Sequence, residues 1–401
     1  MERARFATEI RWLLQTALIV FIAVPVIGIL NGTKVLGELS RDAILTHVHA
    51  GTLGWITLGA FAMVLWLYGP AVPASKDRNT RMLALMSAVA IPVYVAAFFS
   101  GNLPARAVTG TLLLLIILMW TVFTIGAASG IGFGKLSVPQ LAVMFALITF
   151  VIGSTLGVLI QIQLATGAKI LTPEAVGAHA AAQVTGYLAL MAVGLIDWRV
   201  LGESSRRTMA ATIMVLALFV SGLAIATGLL LNIIPLAGLA TPLELIAVGI
   251  LLARVGRPAL AGLGSPATRH FAIAVPFLIL NIMLTIILIV RVVTSGSTTD
   301  LPFGLIIALD HAMFVGTMTN VLFGVLFVAT AGRRVWPWAD GLVFWGMNLG
   351  VAAFIAALLA DARDLERFTA PVMGAAVLLA IATFTLRLRA GRPAVTAPVP
   401  A

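Results

Sequence analysis

The 401-residue sequence contains no cysteine, which excludes disulfides, iron–sulfur clusters and thiolate metal sites. A metal held by this chain must rely on histidine, methionine, carboxylate or backbone ligands. Charge is also scarce. Only 10% of residues are charged, where an ordinary soluble domain has about 25%. Acidic residues are the rarer sign, 15 against 25 Lys and Arg, for a net charge of +10. The basic residues sit in short connections and are not interleaved with aromatics, so the excess does not make a nucleic-acid surface. No polar stretch is long enough for a soluble domain.

What fills the chain instead is apolar. Hydrophobic residues make up 61% of it, and the mean hydropathy is +1.10. Runs of about 20 apolar residues, the length that crosses a bilayer as helix, recur throughout. Twelve such segments are predicted, over about 9–30, 43–69, 81–100, 106–127, 139–163, 174–197, 208–231, 239–254, 270–292, 303–330, 340–360 and 370–389. The fold class expected is therefore all-α, a polytopic membrane protein. Residues 1–392 form a single twelve-span domain and 393–401 a disordered tail. The eighth segment is short and flanked by proline. The basic N-terminus, "MERARFATEIRWLL", lacks a small-residue cleavage site after its apolar run and reads as a retained first span.

Basic residues orient the spans. Eighteen of the 25 Lys and Arg fall at the N-terminus, in the even-to-odd connections and in the C-terminal tail, leaving seven for the other connections. By the positive-inside rule both termini are cytoplasmic. An odd number of spans would scramble this split.

Histidine is rare, with five in the chain, and four share one depth. His47 and His49 lie near the outer end of span two, His179 of span six and His311 of span ten. Each is roughly 9–13 Å inside, at 1.5 Å per residue. His270 falls at the cytoplasmic edge of span nine and reads as an interfacial residue. Two registers relate the four. His47 and His179 are each followed seven residues later by Gly-aromatic (Gly54-Trp55, Gly186-Tyr187), whereas His49 and His311 both open His-Ala-x-x-x-Gly. The four-span interval suggests three four-helix units around a pseudo-threefold axis.

Ionisable residues within spans are costly and generally face a bundle interior or a functional cavity. A lone histidine in a span can equally bond a neighbouring carbonyl. Four convergent imidazoles without thiolates suit a heme iron or copper. Gly51, Gly54, Ala180, Ala181, Ala182 and Gly316 would let a flat macrocycle approach. Residues two apart on a helix differ by about 200°, so His47 and His49 cannot easily ligate one metal. Met313 and Met318 are candidate soft ligands, though methionine in an apolar helix is usually filler.

At this point the chain resembles the heme–copper oxidase superfamily, specifically its twelve-helix catalytic subunit, in which helices two, six and ten carry metal-ligand histidines. Within it, "HAMFVGTMTNVLFGVLFVATAGRR" (311–334) and His47-Val48-His49 look most like the NnrS family, heme- and copper-containing membrane proteins associated with nitric-oxide stress. The resemblance implies heme b, with copper as a further metal, and His47, His49, His179 and His311 as ligands. It assigns a low-spin heme to helices two and ten, thus His311 with His47 favoured over His49. The other helix-two imidazole and His179 would face a second heme or copper site. Arg363 and Arg367, in the loop before span twelve, would meet heme propionates. The helix-seven histidine pair of the oxidases is missing from 208–231, and helix ten has one histidine, so a three-histidine copper site cannot be assembled. The Glu-Met that follows His-x-His in NnrS proteins is replaced by Ala50-Gly51.

Carboxylates inside the spans are few. Glu174 and Asp310 lie beside His179 and His311, and Glu244 opens the short eighth span. Proton pumping is not expected. The reading is a b-type heme protein of the bacterial inner membrane, acting in nitric-oxide response or respiratory redox chemistry. Its partners would be a diatomic gas (NO or O₂), an electron donor the sequence does not specify, and the lipid bilayer. A transporter with a histidine-lined cavity and a non-catalytic heme sensor are the competing classes.

Overall fold

Several helices start on a side chain placed to accept the orphan amides of a first turn. Ser40 Oγ accepts from the Ala43 amide at 3.2 Å, and Asn102 Oδ1 accepts from Ala105 at 2.9 Å. Ser137 and Gln140 form a reciprocal capping box. The computed structural model describes residues 4–202, 205–295, 301–333 and 335–390; the expected tail at 393–401 lies outside the described residues. No strand occurs among the described residues. In a bilayer every backbone polar group needs an internal partner, and helices supply one within each segment.

The protein is a multi-pass membrane protein with twelve spanning helices: α1 (Ala7–Thr33), α2 (Arg41–Ala71), α3 (Ala74–Phe99), α4 (Leu103–Ile131), α5 (Val138–Thr166), α6 (Ala175–Leu201), α7 (Met209–Leu230), α8 (Ile234–Gly262), α9 (Arg269–Ser295), α10 (Phe303–Ala329), α11 (Ala339–Leu359) and α12 (Arg363–Arg389). The eighth is longer than hydropathy predicts. It continues as helix on both sides of the apolar segment, and Arg254, where that segment ends, is held by Asp197 Oδ2 at 2.9 Å and Ser205 Oγ at 3.1 Å. Glu244, expected at its start, therefore lies mid-span, buried and accepting from Ser221 Oγ at 3.1 Å.

Helices α2, α6 and α10 occupy the centre. Their apolar windows are 72%, 83% and 72% buried, whereas the others lie between 28% and 56%. Each central helix widens into a π-helical segment, Ala50–Thr57, Ala182–Leu188 and Ala312–Thr319 respectively. Within two of these segments threonine hydroxyls reach the carbonyl five residues back: Thr57 to Thr52, Thr317 to Ala312 and Thr319 to Phe314, at 2.8–2.9 Å.

The three segments share a register. Each begins three residues after position 47, 179 or 309, occupied by His47, His179 and Leu309. A glycine seven residues beyond that position lets the helix before it pack closely. A Cβ on Gly54 would collide with Val20, on Gly186 with Thr149, and on Gly316 with Phe277. Gly54 and Gly316 thus serve helix packing, not the approach of a macrocycle. Continuing the register, Trp55 stacks on Phe21 with centroids 4.5 Å apart, and Tyr187 stacks on Phe150 at 4.2 Å.

Candidate metal centre

His47 belongs to the first turns of α2, but its Nδ1 bonds across to the Val24 carbonyl of α1 at 3.0 Å. His179 repeats this from α6, with Nδ1 bonded to the Gly153 carbonyl of α5 at 2.7 Å. Both rings rest on a glycine four residues beyond that carbonyl. A Cβ on Gly28 would lie 3.2 Å from His47 Cε1, and one on Gly157 would lie 2.8 Å from His179 Cε1. In the third copy of the register Leu309 replaces histidine, and its own carbonyl accepts from Asn281 Nδ2 at 3.0 Å.

His49 and His311 form the other register. Each turns Nδ1 to the carbonyl four residues back on its own helix, Leu45 at 2.7 Å and Ile307 at 2.8 Å. Each also lies against an aromatic ring. His49 stacks on Phe98 of α3 at 3.8 Å between centroids, and His311 meets Phe354 of α11 at 4.7 Å. Arg106 covers the far side of this arrangement, its guanidinium 4.7 Å from the Phe98 centroid and paired with Asp42.

A carbonyl oxygen only accepts, so Nδ1 carries the hydrogen in all four rings. The lone pair is then on Nε2, the nitrogen left for a ligand. A hydrogen bond from one ring nitrogen to a carbonyl is what orients a metal-binding imidazole. All four residues are half-buried although they sit on the three most buried helices.

His47 lies within electrostatic reach of His311, and His49 within reach of His179. The same two seams are tied eight residues further along. Trp55 Nε1 donates to Thr319 Oγ1 at 3.1 Å, and the Tyr187 hydroxyl donates to Thr57 Oγ1 at 3.2 Å. Bonding from i to i+5 widens the turn beyond 3.6 residues, which brings positions eight apart to the same face. His47 and His49 therefore address different neighbours, as their angular separation predicts.

Among the described residues no three His, Asp or Glu side chains gather as a metal-binding group. The donor count is two per seam. That fits a macrocycle, which supplies four equatorial nitrogens and needs two axial ones, better than it fits a bare copper ion. Met313 and Met318 are fully buried core residues. Arg363 is largely exposed and pairs with Asp361 at 3.3 Å; the Arg367 guanidinium lies over the Phe368 ring at 4.9 Å. Asp310 is half-buried beside His311. Glu174, just before α6, is held below the usual carboxylate range by its own backbone amide and by Thr172.

His270 is not interfacial. It is completely buried, its Nδ1 donating to Asn320 Oδ1 at 2.8 Å among Phe323, Phe327 and Phe344. Asn320 Nδ2 in turn donates to Asn348 Oδ1 at 2.7 Å. These partners lie 50 and 78 positions from His270 in sequence, so its local context could not show them. The cavity of about 610 Å³ bordered by Trp66, Trp198, Lys135, Arg206 and Arg207 contains none of the five histidines. The donor geometry locates the candidate site better than cavity volume does.

The chain matches no protein-family model and no curated protein sequence.

Proposed function

We propose that this protein is a b-type heme membrane protein built as three four-helix units, α1–α4, α5–α8 and α9–α12, and NnrS-like within the heme–copper oxidase superfamily. It would act in nitric-oxide response or respiratory redox chemistry at the bacterial inner membrane, without pumping protons. The observation that carries the reading is the pair His47 and His311 on neighbouring central helices, each with Nδ1 committed to a carbonyl and Nε2 left as the nitrogen that could donate to a metal. The matching registers of α2, α6 and α10 support the three-unit arrangement.

In this reading the protein's own residues bind and orient. His47 and His311 would hold the heme, which when bound supplies one-electron chemistry at its iron. Val24 O and Ile307 O fix the tautomer and the azimuth of each ring. Arg363 and Arg367 lie at the same end of the spans as the histidines, where heme propionates would emerge.

The test is optical and EPR spectroscopy of the purified protein. A Soret band and a low-spin signal are expected, with the low-spin signal of this site abolished in His47→Ala and His311→Ala. An intact signal in His311→Ala would overturn the ligand assignment. Heme-free protein that still moves a solute would favour a transporter.

A further inference from the structure

Resting on the heme reading above, we infer that the seam between α2 and α6 is a second, quasi-equivalent bis-imidazole heme site, held by His49 and His179, so that each chain binds two six-coordinate hemes. Each partner in this seam repeats one in the first. His179 takes the part of His47: Nδ1 to a carbonyl of the preceding helix, ring seated on a glycine four residues on. His49 takes the part of His311: Nδ1 to its own helix four residues back, ring against an aromatic of the following helix. The bond from Tyr187 to Thr57 stands where the bond from Trp55 to Thr319 stands in the first seam.

The cyclic order also says what the third seam, between α6 and α10, would need. Its equivalent positions are Ala181 and Leu309, neither of them a ligand. Ala181 packs instead on Ile225, Ala237, Ala240 and Ile289, an apolar cluster. Two seams therefore carry the same donor set and the third is closed. Neither imidazole pair leaves an axial position open, so the two sites suit electron exchange across α2 better than direct capture of a gas.

The test is the ratio of heme to protein in the full-length chain purified with its own heme, read by pyridine extraction alongside EPR spin counting and copper analysis. Two hemes per chain are expected, with His49→Ala and His179→Ala each falling to one while the His47–His311 signal persists. The wild-type ratio does not depend on any variant folding. One heme per chain, unchanged in His49→Ala, overturns this inference and leaves the first site standing. One heme plus one copper lost in His179→Ala overturns it in favour of a copper site. Two hemes that both survive in His49→Ala and His179→Ala also overturn it. No heme at all removes the proposed function itself.

Discussion

A ring nitrogen that faces a backbone carbonyl has no choice of tautomer, and four of the five histidines are fixed that way. The seating of the two cross-helix rings makes a graded prediction. Gly157→Ala places a methyl 2.8 Å from His179 Cε1, and that ring cannot retreat without losing Gly153 O. Overpacking of this kind costs about 1–3 kcal/mol. Gly28→Ala meets its ring at 3.2 Å and should cost less, about 1 kcal/mol or under on the same scale. Thermal unfolding in detergent, comparing the two variants with wild type, checks the order; equal effects would show that the rings are not wedged against these glycines. At this scale the sequence was legible for the four ligand candidates, because both histidine registers can be read directly along the chain. It was misleading for His270, whose neighbour Arg269 suggests an interface while Asn320 and the phenylalanines draw it into the core.

The π-helical segments are the least legible elements. A widened turn is stabilised by packing against other helices, here Val20, Thr149 and Phe277, and hydropathy does not report it. Yet the segments set which faces α2, α6 and α10 present. Inserting one alanine within Ala50–Thr57 adds a residue beyond the one the widened turn already absorbs and should rotate the N-terminal half of α2 by about 100° relative to its C-terminal half. His47 and His49 would then lose alignment with Trp55 and Thr57. The expected outcome is loss of the low-spin EPR signals with the chain still inserted. Thr319→Val, which removes the acceptor for Trp55 and the hydroxyl bond to the Phe314 carbonyl, should keep the spectrum and lower stability by about 1–3 kcal/mol. An insertion variant with an unchanged spectrum would show that the winding of this segment does not position the imidazoles.

Over the whole molecule, twelve spans were readable because each is a long apolar run bounded by turn residues or charge. The eighth differed most, running from Ile234 to Gly262, and the third and twelfth begin about a turn or two earlier than the apolar runs, at Ala74 and Arg363. By the charge split, the histidine end is expected outside. Since the natural chain has no cysteine, single introduced cysteines can report topology directly. A cysteine at Ala168 or Ala362 should react with an impermeant maleimide in intact cells, and one at Gly134 or Gly264 only after permeabilisation. The reverse pattern would invert the orientation and put the imidazoles near the cytoplasmic face.

Pairing between units, instead of within them, also imposes a chronology. No imidazole pair can exist when only the first four spans have been made. His49 meets His179 once α6 has entered the membrane, whereas His47 must wait for α10. At synthesis rates of about 5–20 residues per second, the wait runs from several seconds to roughly half a minute. During that interval the nascent chain would hold one completed pair and one half-built pair, so under the proposed reading the His49–His179 seam would be available to a ligand first.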